Sequence, residues 1–374
     1  MKTSRRDFIQ RIAGAGTGIA ALPLFADAAP FQDPIFQAGK TLNVAILGLG
    51  SYGTRVAEAM KECKQAKLVG AISGTPAKLE QWKSKYGLDA KNLYNYDNLD
   101  NIKNNPNIDV VYVITPNVLH KDFAIRVAKA GKHVITEKPM AGNVKDAQEM
   151  IAACQKAGVK LLVGYRLHFE PFTRELIRYR ESGELGRILH VNAQSGFRIG
   201  DPTQWRLNRA LSGGGSMMDI GIYAVNGVRY ATGEEPIWVS AQETKTDPVK
   251  FKEGIDETVL FQMGLPKGII ASCSSTYSFN NNDRIWVVGD KGFAELYPAT
   301  GYGPLKGRTN KGPMDQPVVT HQAYQMDGMA DLILNNKTIS PPVDGNEGLK
   351  DMKIIEAIYE SARQGGKRIN LNLG

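Results

Sequence analysis

Short, uninterrupted apolar runs at 42–47, 67–72, 110–114, 133–136 and 160–164 alternate with amphipathic stretches at 51–62, 76–86, 121–130 and 144–157. An apolar run without polar alternation reads as a strand buried on both faces. Apolar positions three and four apart mark a helix with one buried face. Repeated in this order, they predict a parallel sheet covered on both sides by helices. The class is α/β, and residues 41–163 are expected to form a doubly wound, Rossmann-type domain, an architecture suited to dinucleotide binding.

The period changes after Gly164. A helix is expected at 172–182. Longer stretches at 188–197, 237–246, 257–263, 269–277, 284–289 and 292–296 then alternate apolar with polar side chains, and turns such as Pro266-Lys267-Gly268 and Gly289-Asp290-Lys291-Gly292 join them. Period two predicts a large, mostly antiparallel sheet with one face on helices. Helices near 324–335 and 349–364 complete a substrate-binding and oligomerisation α+β domain over 164–374. The other face of such a sheet is a natural self-association surface, so a homodimer or homotetramer is expected.

The first residues follow a different logic. Ser4-Arg5-Arg6-Asp7-Phe8-Ile9 precedes a Gly/Ala-rich apolar run and the small-x-small triplet Ala26-Asp27-Ala28. This reads as a twin-arginine signal peptide over 1–28, followed by an arm at 29–40. It predicts export of a folded protein to the periplasm. The apolar run is too short and glycine-rich for a comfortable span, so no stable membrane insertion is expected. The 374 residues suit two domains. The formal charge of +8 is scattered among acidic residues, which argues against a nucleic-acid partner. Cys63, Cys154 and Cys273 are too few for a disulfide framework and read as small buried hydrophobes, the first two within helices.

Chemistry concentrates after the strands. Gly48-Leu49-Gly50-Ser51-Tyr52-Gly53 follows one strand and opens a helix, the context a dinucleotide fingerprint requires. Its first glycine permits the turn, the second lets backbone approach pyrophosphate, and the third lets helix and strand pack. The helix N-terminus then favours the phosphates. NAD enzymes place an acid after the second strand for the ribose hydroxyls. This chain has Ser73-Gly74-Thr75-Pro76-Ala77-Lys78, where a hydroxyl and an ammonium suit a 2′-phosphate, so NADP is expected. Thr115-Pro116-Asn117 with His120, and Glu137-Lys138-Pro139, lie at strand carboxyl ends, where open α/β sheets bind ligands. Gly213-Gly214-Gly215 leads into a predicted helix carrying Asp219 and Tyr223, four apart and hence on one face. Glu137 reads as a partner of Lys138 and not as a direct catalyst. The five histidines lack zinc spacing, so no metal is expected; His133, His190 and His321 read as surface or strand residues.

GLGSYG, TPNVLH, EKP, GYRLHF, WRL and GGGSMMDIGIY together resemble the Gfo/Idh/MocA oxidoreductases, and within them the glucose–fructose oxidoreductase group. The resemblance spans essentially the whole chain, including the leader, SGTPAK and the PATGY stretch at 298–302. It implies that Lys138 stands beside the nicotinamide and the reacting sugar carbon. Tyr223 would be the acid/base for the C1 hydroxyl, and Asp219 would bind the sugar. Many family members have histidine where this chain has Tyr223. Ser73, Lys78, Tyr96, Arg166, Trp205 and Arg206 match cofactor-contacting positions.

A phenol of pKa about 10 is a poor base at neutral pH, and a nearby ammonium would favour its phenolate. An exported enzyme finds no nicotinamide pool outside the cytoplasm. The expectation is therefore a sugar oxidoreductase that carries NADP. It would oxidise a glucose-like aldose to its lactone and reduce a fructose-like sugar to the alditol. An aldose dehydrogenase without the second half-reaction, an NAD-dependent glycoside hydrolase of the same fold, and a sugar sensor are the alternatives.

Overall fold

A computed structural model describes residues 40–252, 254–280 and 282–374. The leader, and the arm as far as residue 39, lie outside the described residues.

The first sheet is wholly parallel. It comprises β1 (Leu42–Leu47), β2 (Ala66–Ile72), β3 (Leu93–Tyr94), β4 (Val110–Val113), β5 (His133–Thr136) and β6 (Leu161–Val163), in the order β3-β2-β1-β4-β5-β6. Strand order reverses between β1 and β4, which opens a crevice at their carboxyl ends. The strands are nearly solid apolar runs because helices α1 (Ser51–Ala59), α2 (Pro76–Tyr86), α3 (His120–Lys129) and α4 (Val144–Ala157) accompany them. Asn143 caps α4 by accepting from the Asp146 amide at 2.8 Å, and Gly158 ends it in the left-handed conformation. The predicted helix 51–62 is α-helical only to Ala59 and tightens to a 3₁₀ turn at Met60–Glu62, so Cys63 falls just beyond it.

Helices α5 (Pro171–Glu181), α6 (Arg209–Ser212) and α7 (Ile222–Thr232) belong to the second domain. Its sheet holds β7 (Ile188–Gly196), β8 (Trp238–Thr244), β9 (Thr258–Gly264), β10 (Ile270–Thr276), β11 (Asn282–Gly289), β12 (Phe293–Leu296), β13 (Gly307–Thr309), β14 (Gly312–Pro313) and β15 (Ile369–Asn370). Their order is β14-β13-β12-β11-β7-β10-β9-β8-β15, with β7 and β10 the parallel pair and the rest antiparallel. Val191, Ala193, Ala271, Cys273, Ile285 and Val287 face inward, where α7 lies against β7, β10 and β11. Leu260 and Ile270 are exposed. The alternation that predicted these strands is this division between faces.

The chain then returns to the first sheet. Helix α8 (His321–Leu334) packs on β1, β2 and α1, and α9 (Gly345–Arg363) packs on α4, β6 and β8. Asp327 accepts from the amides of Lys64 (3.0 and 2.9 Å) and Gln65 (2.8 Å), and the Val163 amide donates to the Val343 carbonyl at 2.8 Å. The nucleotide-binding sheet is thus completed by residues from the far end of the sequence. Cys63, Cys154 and Cys273 are free thiols, the last two buried. Among the described residues, no helix is long and apolar enough to cross a membrane.

Candidate active site

A cavity of about 890 Å³ opens at the carboxyl ends of the parallel strands. The second domain closes its other side. Every sequence-predicted site residue lines it except Gly74 and His120.

The nucleotide half is built by absent side chains. Gly48 has φ +103°, and a Cβ there would stand 2.2 Å from the Ile114 carbonyl oxygen. A Cβ on Gly53 would stand 2.3 Å from the Gly48 oxygen. These two glycines are therefore required by packing. Gly50 is different: among the described residues a Cβ would meet nothing within 4 Å. Gly50 is also the N-cap of α1 and provides no side-chain cap, so the helix presents uncapped N–H groups to the cavity. Thr115 Oγ1, buried on the wall, has no hydrogen-bond partner among the described residues. Open glycine, bare helix end and orphaned hydroxyl fit a phosphate-bearing dinucleotide.

At the end of β2, no carboxylate lines the cavity. Ser73 Oγ accepts from the Thr75 amide at 3.1 Å, and Thr75, Lys78 and Tyr96 complete the wall. The expectation that Gly74 contacts the cofactor is corrected: it lies behind Tyr96, whose ring atoms would be 2.8 Å from a Cβ on it. Its bareness seats that ring, which packs on Phe123 with centroids 4.7 Å apart. His120 is also corrected. It is fully buried and touches the Thr115 carbonyl at 2.9 Å and the Pro139 carbonyl at 3.0 Å, tying one strand-end turn to the next. Burial pushes its pKa down to about 4.

The reactive half forms around Lys138. Its Nζ donates to the Asp219 backbone carbonyl at 2.6 Å, stands 3.6 Å from Asp219 Oδ1, and lies 4.6 Å from the centroid of the Tyr223 ring. The ammonium thus sits over the ring face. Burial would strip its proton, but the surrounding Tyr223, Asp219 and Glu137 hold its pKa above the ordinary value. Asp219 also resists burial: Arg206 Nε donates to Oδ2 at 2.8 Å and Tyr277 Oη donates to the same oxygen at 3.0 Å. With Lys138 near, these partners keep its carboxyl below the usual range although burial alone would raise it. Oδ1 faces the lysine.

Asp219 and Tyr223 do converge, by a different element from the one expected. Met217–Gly221 is a π-helical turn that runs into α7. The preceding glycines fit beneath Asp256, whose carboxylate accepts from the Gly215 amide (2.7 Å), the Ser216 hydroxyl (2.9 Å) and the Met217 amide (2.7 Å). A Cβ on Gly215 would stand 2.1 Å from the Asp256 carbonyl oxygen. Glu137 lies beneath Lys138. It accepts from the Tyr112 hydroxyl and, at 3.2 Å, from the Lys138 amide, while Gln325 of α8 donates to Tyr112 at 2.7 Å. Burial raises its pKa.

Arg206, expected at the cofactor, lines the cavity but spends its Nε on Asp219, with its guanidinium 4.7 Å from the Trp205 ring. Arg166 is buried and donates to the carbonyls of Thr300 and Gly301, and to His321 Nδ1 at 3.0 Å. His321 is therefore no surface residue; burial, with help from Arg166, pushes its pKa down to about 4. Tyr277, Asp283, Gln325 and Tyr302 were missed as site residues. PATGY was noticed as a string, but nothing in its spacing told that Tyr302 would line the cavity. Among the described residues, no three His, Cys, Asp or Glu side chains cluster to hold a metal.

Comparison with known proteins fits this geometry. Residues 42–165 match the family model described as oxidoreductase family, NAD-binding Rossmann fold, and residues 173–295 match the GFO/IDH/MocA C-terminal domain. D-xylose 1-dehydrogenase [NADP(+)] from Haloarcula marismortui is 30% identical over 265 residues, covering 68% of this chain and 72% of that protein. Inositol 2-dehydrogenase from Rhizobium meliloti is 25% identical over 339 residues, covering 87% and 98%. The crystal structure of aldose-aldose oxidoreductase from Caulobacter crescentus, complexed with glycerol, superposes with a TM-score of 0.85 at 44% identity, covering 89% of this chain and 100% of that one. The chain belongs to the Gfo/Idh/MocA oxidoreductase family.

Proposed function

We propose that the protein is an exported sugar oxidoreductase that holds NADP and runs two half-reactions on it. An aldose is oxidised at C1 to the lactone, and a second sugar is reduced to its alditol. The observation that carries this reading is the convergence of Lys138, Asp219 and Tyr223 at the strand-end cavity. Tyr223 takes the proton of the C1 hydroxyl and gives one back to the carbonyl oxygen of the second sugar. Lys138 supplies fixed positive charge where oxygen becomes anionic. Asp219 Oδ1, turned away from Arg206 and Tyr277, accepts from a sugar hydroxyl. A nicotinamide cofactor held along the glycine loop beside Lys138 would supply the hydride acceptor and donor for these half-reactions.

Several features support the finer points. Ser73, Thr75 and Lys78 at the end of β2, with no acid among them, favour NADP, as does the cofactor named for the Haloarcula relative. The Arg5-Arg6 leader supports export. The open face of the second sheet supports a homo-oligomer. A second reading concerns the acceptor: the similar structure named an aldose–aldose enzyme favours another aldose over a ketose.

A near-UV spectrum of the purified protein without added cofactor tests the proposal. A reduced-nicotinamide band should rise with glucose and vanish with the acceptor. Fructose and a second aldose, added separately, discriminate the two acceptors. Turnover that consumes stoichiometric free NADP and ignores both would overturn the two-sugar cycle.

A further inference from the structure

The segment from Pro298 to Tyr302 crosses the cavity wall between the two domains and is braced from both sides. Asp283 Oδ2 accepts from the amides of Ala299 (3.0 Å), Thr300 and Gly301 (3.0 Å), and from the Thr300 hydroxyl (3.0 Å). Arg166 binds the carbonyls of Thr300 and Gly301. Gripped through amides and carbonyls alike, the segment is a fixed strap, and Tyr302 is carried at its end.

Two guanidinium groups lie over the Tyr302 ring. Arg166 stands 4.8 Å from its centroid. Arg55, on the second turn of the helix whose N-terminus forms the phosphate cradle, stands 4.3 Å away. The Tyr52 ring of the glycine loop is 6.0 Å away. Tyr302 therefore joins the phosphate-binding helix to the far wall.

We propose that Tyr302 and Arg55 form a clasp over the cavity that sets how fast a bound dinucleotide leaves. The inference rests on the reading that the cavity holds NADP. A dinucleotide running from the glycine loop to Lys138 lies beneath this bridge. Its exit requires the ring to leave both cations, each a stack of the kind that holds aromatic and guanidinium groups together. In an enzyme that keeps its cofactor between half-reactions, such a clasp separates retention from hydride chemistry. Arg55 reaches the cavity wall through its stack on the Tyr302 ring.

The test is a chase without sugar. The full chain is loaded with NADPH, mixed with excess NADP, and followed by loss of bound-NADPH fluorescence. Tyr302→Ala should release NADPH about tenfold faster or more, and Arg55→Ala several-fold faster. Tyr302→Phe should release near the wild-type rate, because stacking needs the ring and not the hydroxyl. Arg55 is exposed, so its variant reads the clasp even if Tyr302→Ala folds poorly. Binding with equal release from wild type, Arg55→Ala and Tyr302→Ala overturns the clasp alone. A wild-type protein that takes up no NADPH overturns the functional reading, and the clasp with it.

Discussion

Arg206 Nε donates to Asp219 Oδ2 at 2.8 Å inside the cavity, and the Tyr277 hydroxyl shares that oxygen at 3.0 Å. One oxygen of the carboxylate is thus committed to the protein and the other is left toward Lys138. Removing Arg206 should cost about 1.5–3 kcal/mol in kcat/KM, the range for a hydrogen bond to a charged group. Arg206 is a main opponent of Asp219 protonation. In Arg206→Ala the carboxyl pKa rises, and the acid limb of kcat/KM should move to higher pH. Steady-state kinetics across pH check both. Tyr277→Phe should move the limb the same way by less.

Lys138 and Tyr223 should behave as one unit. Lys138→Met and Tyr223→Phe should each lower turnover about 10²–10⁴-fold, as loss of a proton-transfer or charge-stabilising group does. The double variant should fall far short of the product of the two. Bound-NADPH fluorescence, retained in both single variants, would place the loss in chemistry.

The glycine loop gives a contrast between neighbours. Gly48→Ala forces a Cβ to 2.2 Å of the Ile114 oxygen at positive φ and should destabilise the fold by about 1–3 kcal/mol. Gly50→Ala meets no atom of the described residues within 4 Å. It should leave the thermal midpoint nearly unchanged while weakening dinucleotide binding. Equal effects of the two on Tm would sink this division of labour.

Ser73 stands where an acid would select NAD. Ser73→Asp combined with Lys78→Ala should invert cofactor preference, because a carboxylate bonds ribose hydroxyls and repels a 2′-phosphate. Titration of the apoprotein with NADH and NADPH measures it.

His321, pushed down to about 4, and His168, held well below its ordinary value by burial and by Arg174, are neutral in the folded chain. Once unfolded, both would titrate near 6.5. Between about 6.5 and 4 the unfolded state binds the protons and the native state does not, so stability falls as pH falls through that window. The urea midpoint should drop from pH 7.5 to pH 5. Both His168 nitrogens lack hydrogen-bond partners among the described residues, and its ring lies edge-on to Phe169 and Tyr230. His168→Phe should therefore raise stability and flatten this slope.

The repeating pattern of the first domain is readable because β1, β4, β5 and β6 are buried almost throughout, so their local sequence carries the constraint; the two-residue, half-buried β3 has no such run and is not anticipated. The glycine loop, Lys138, Asp219 and Tyr223 were readable for a related reason: they sit at strand ends or within short motifs. Tyr277, Asp283 and Gln325 were not. They reach the site from a second-domain strand end, an edge of β11 and a returning helix, and no local period encodes those meetings. The π-turn at Met217–Gly221 differs from the plain helix expected from spacing, and the Asp256 carboxylate that holds its start is distant in sequence. His120 departs from expectation because it opens α3 and turns its ring toward the backbone carbonyls of Thr115 and Pro139 instead of the crevice.

The return of α8 to the first sheet bears on how this architecture can be recombined. Asp327 closes over the amides of Lys64 and Gln65, and Gln325 reaches Tyr112 beneath Glu137. A chimera joined near residue 165, with a relative's second half, would exchange these groups together with the sugar wall. The nucleotide half would receive a foreign helix in its own core. Grafts that alter substrate choice should therefore transplant the segment between α5 and β14 and leave residues 321–363 with the sheet they complete.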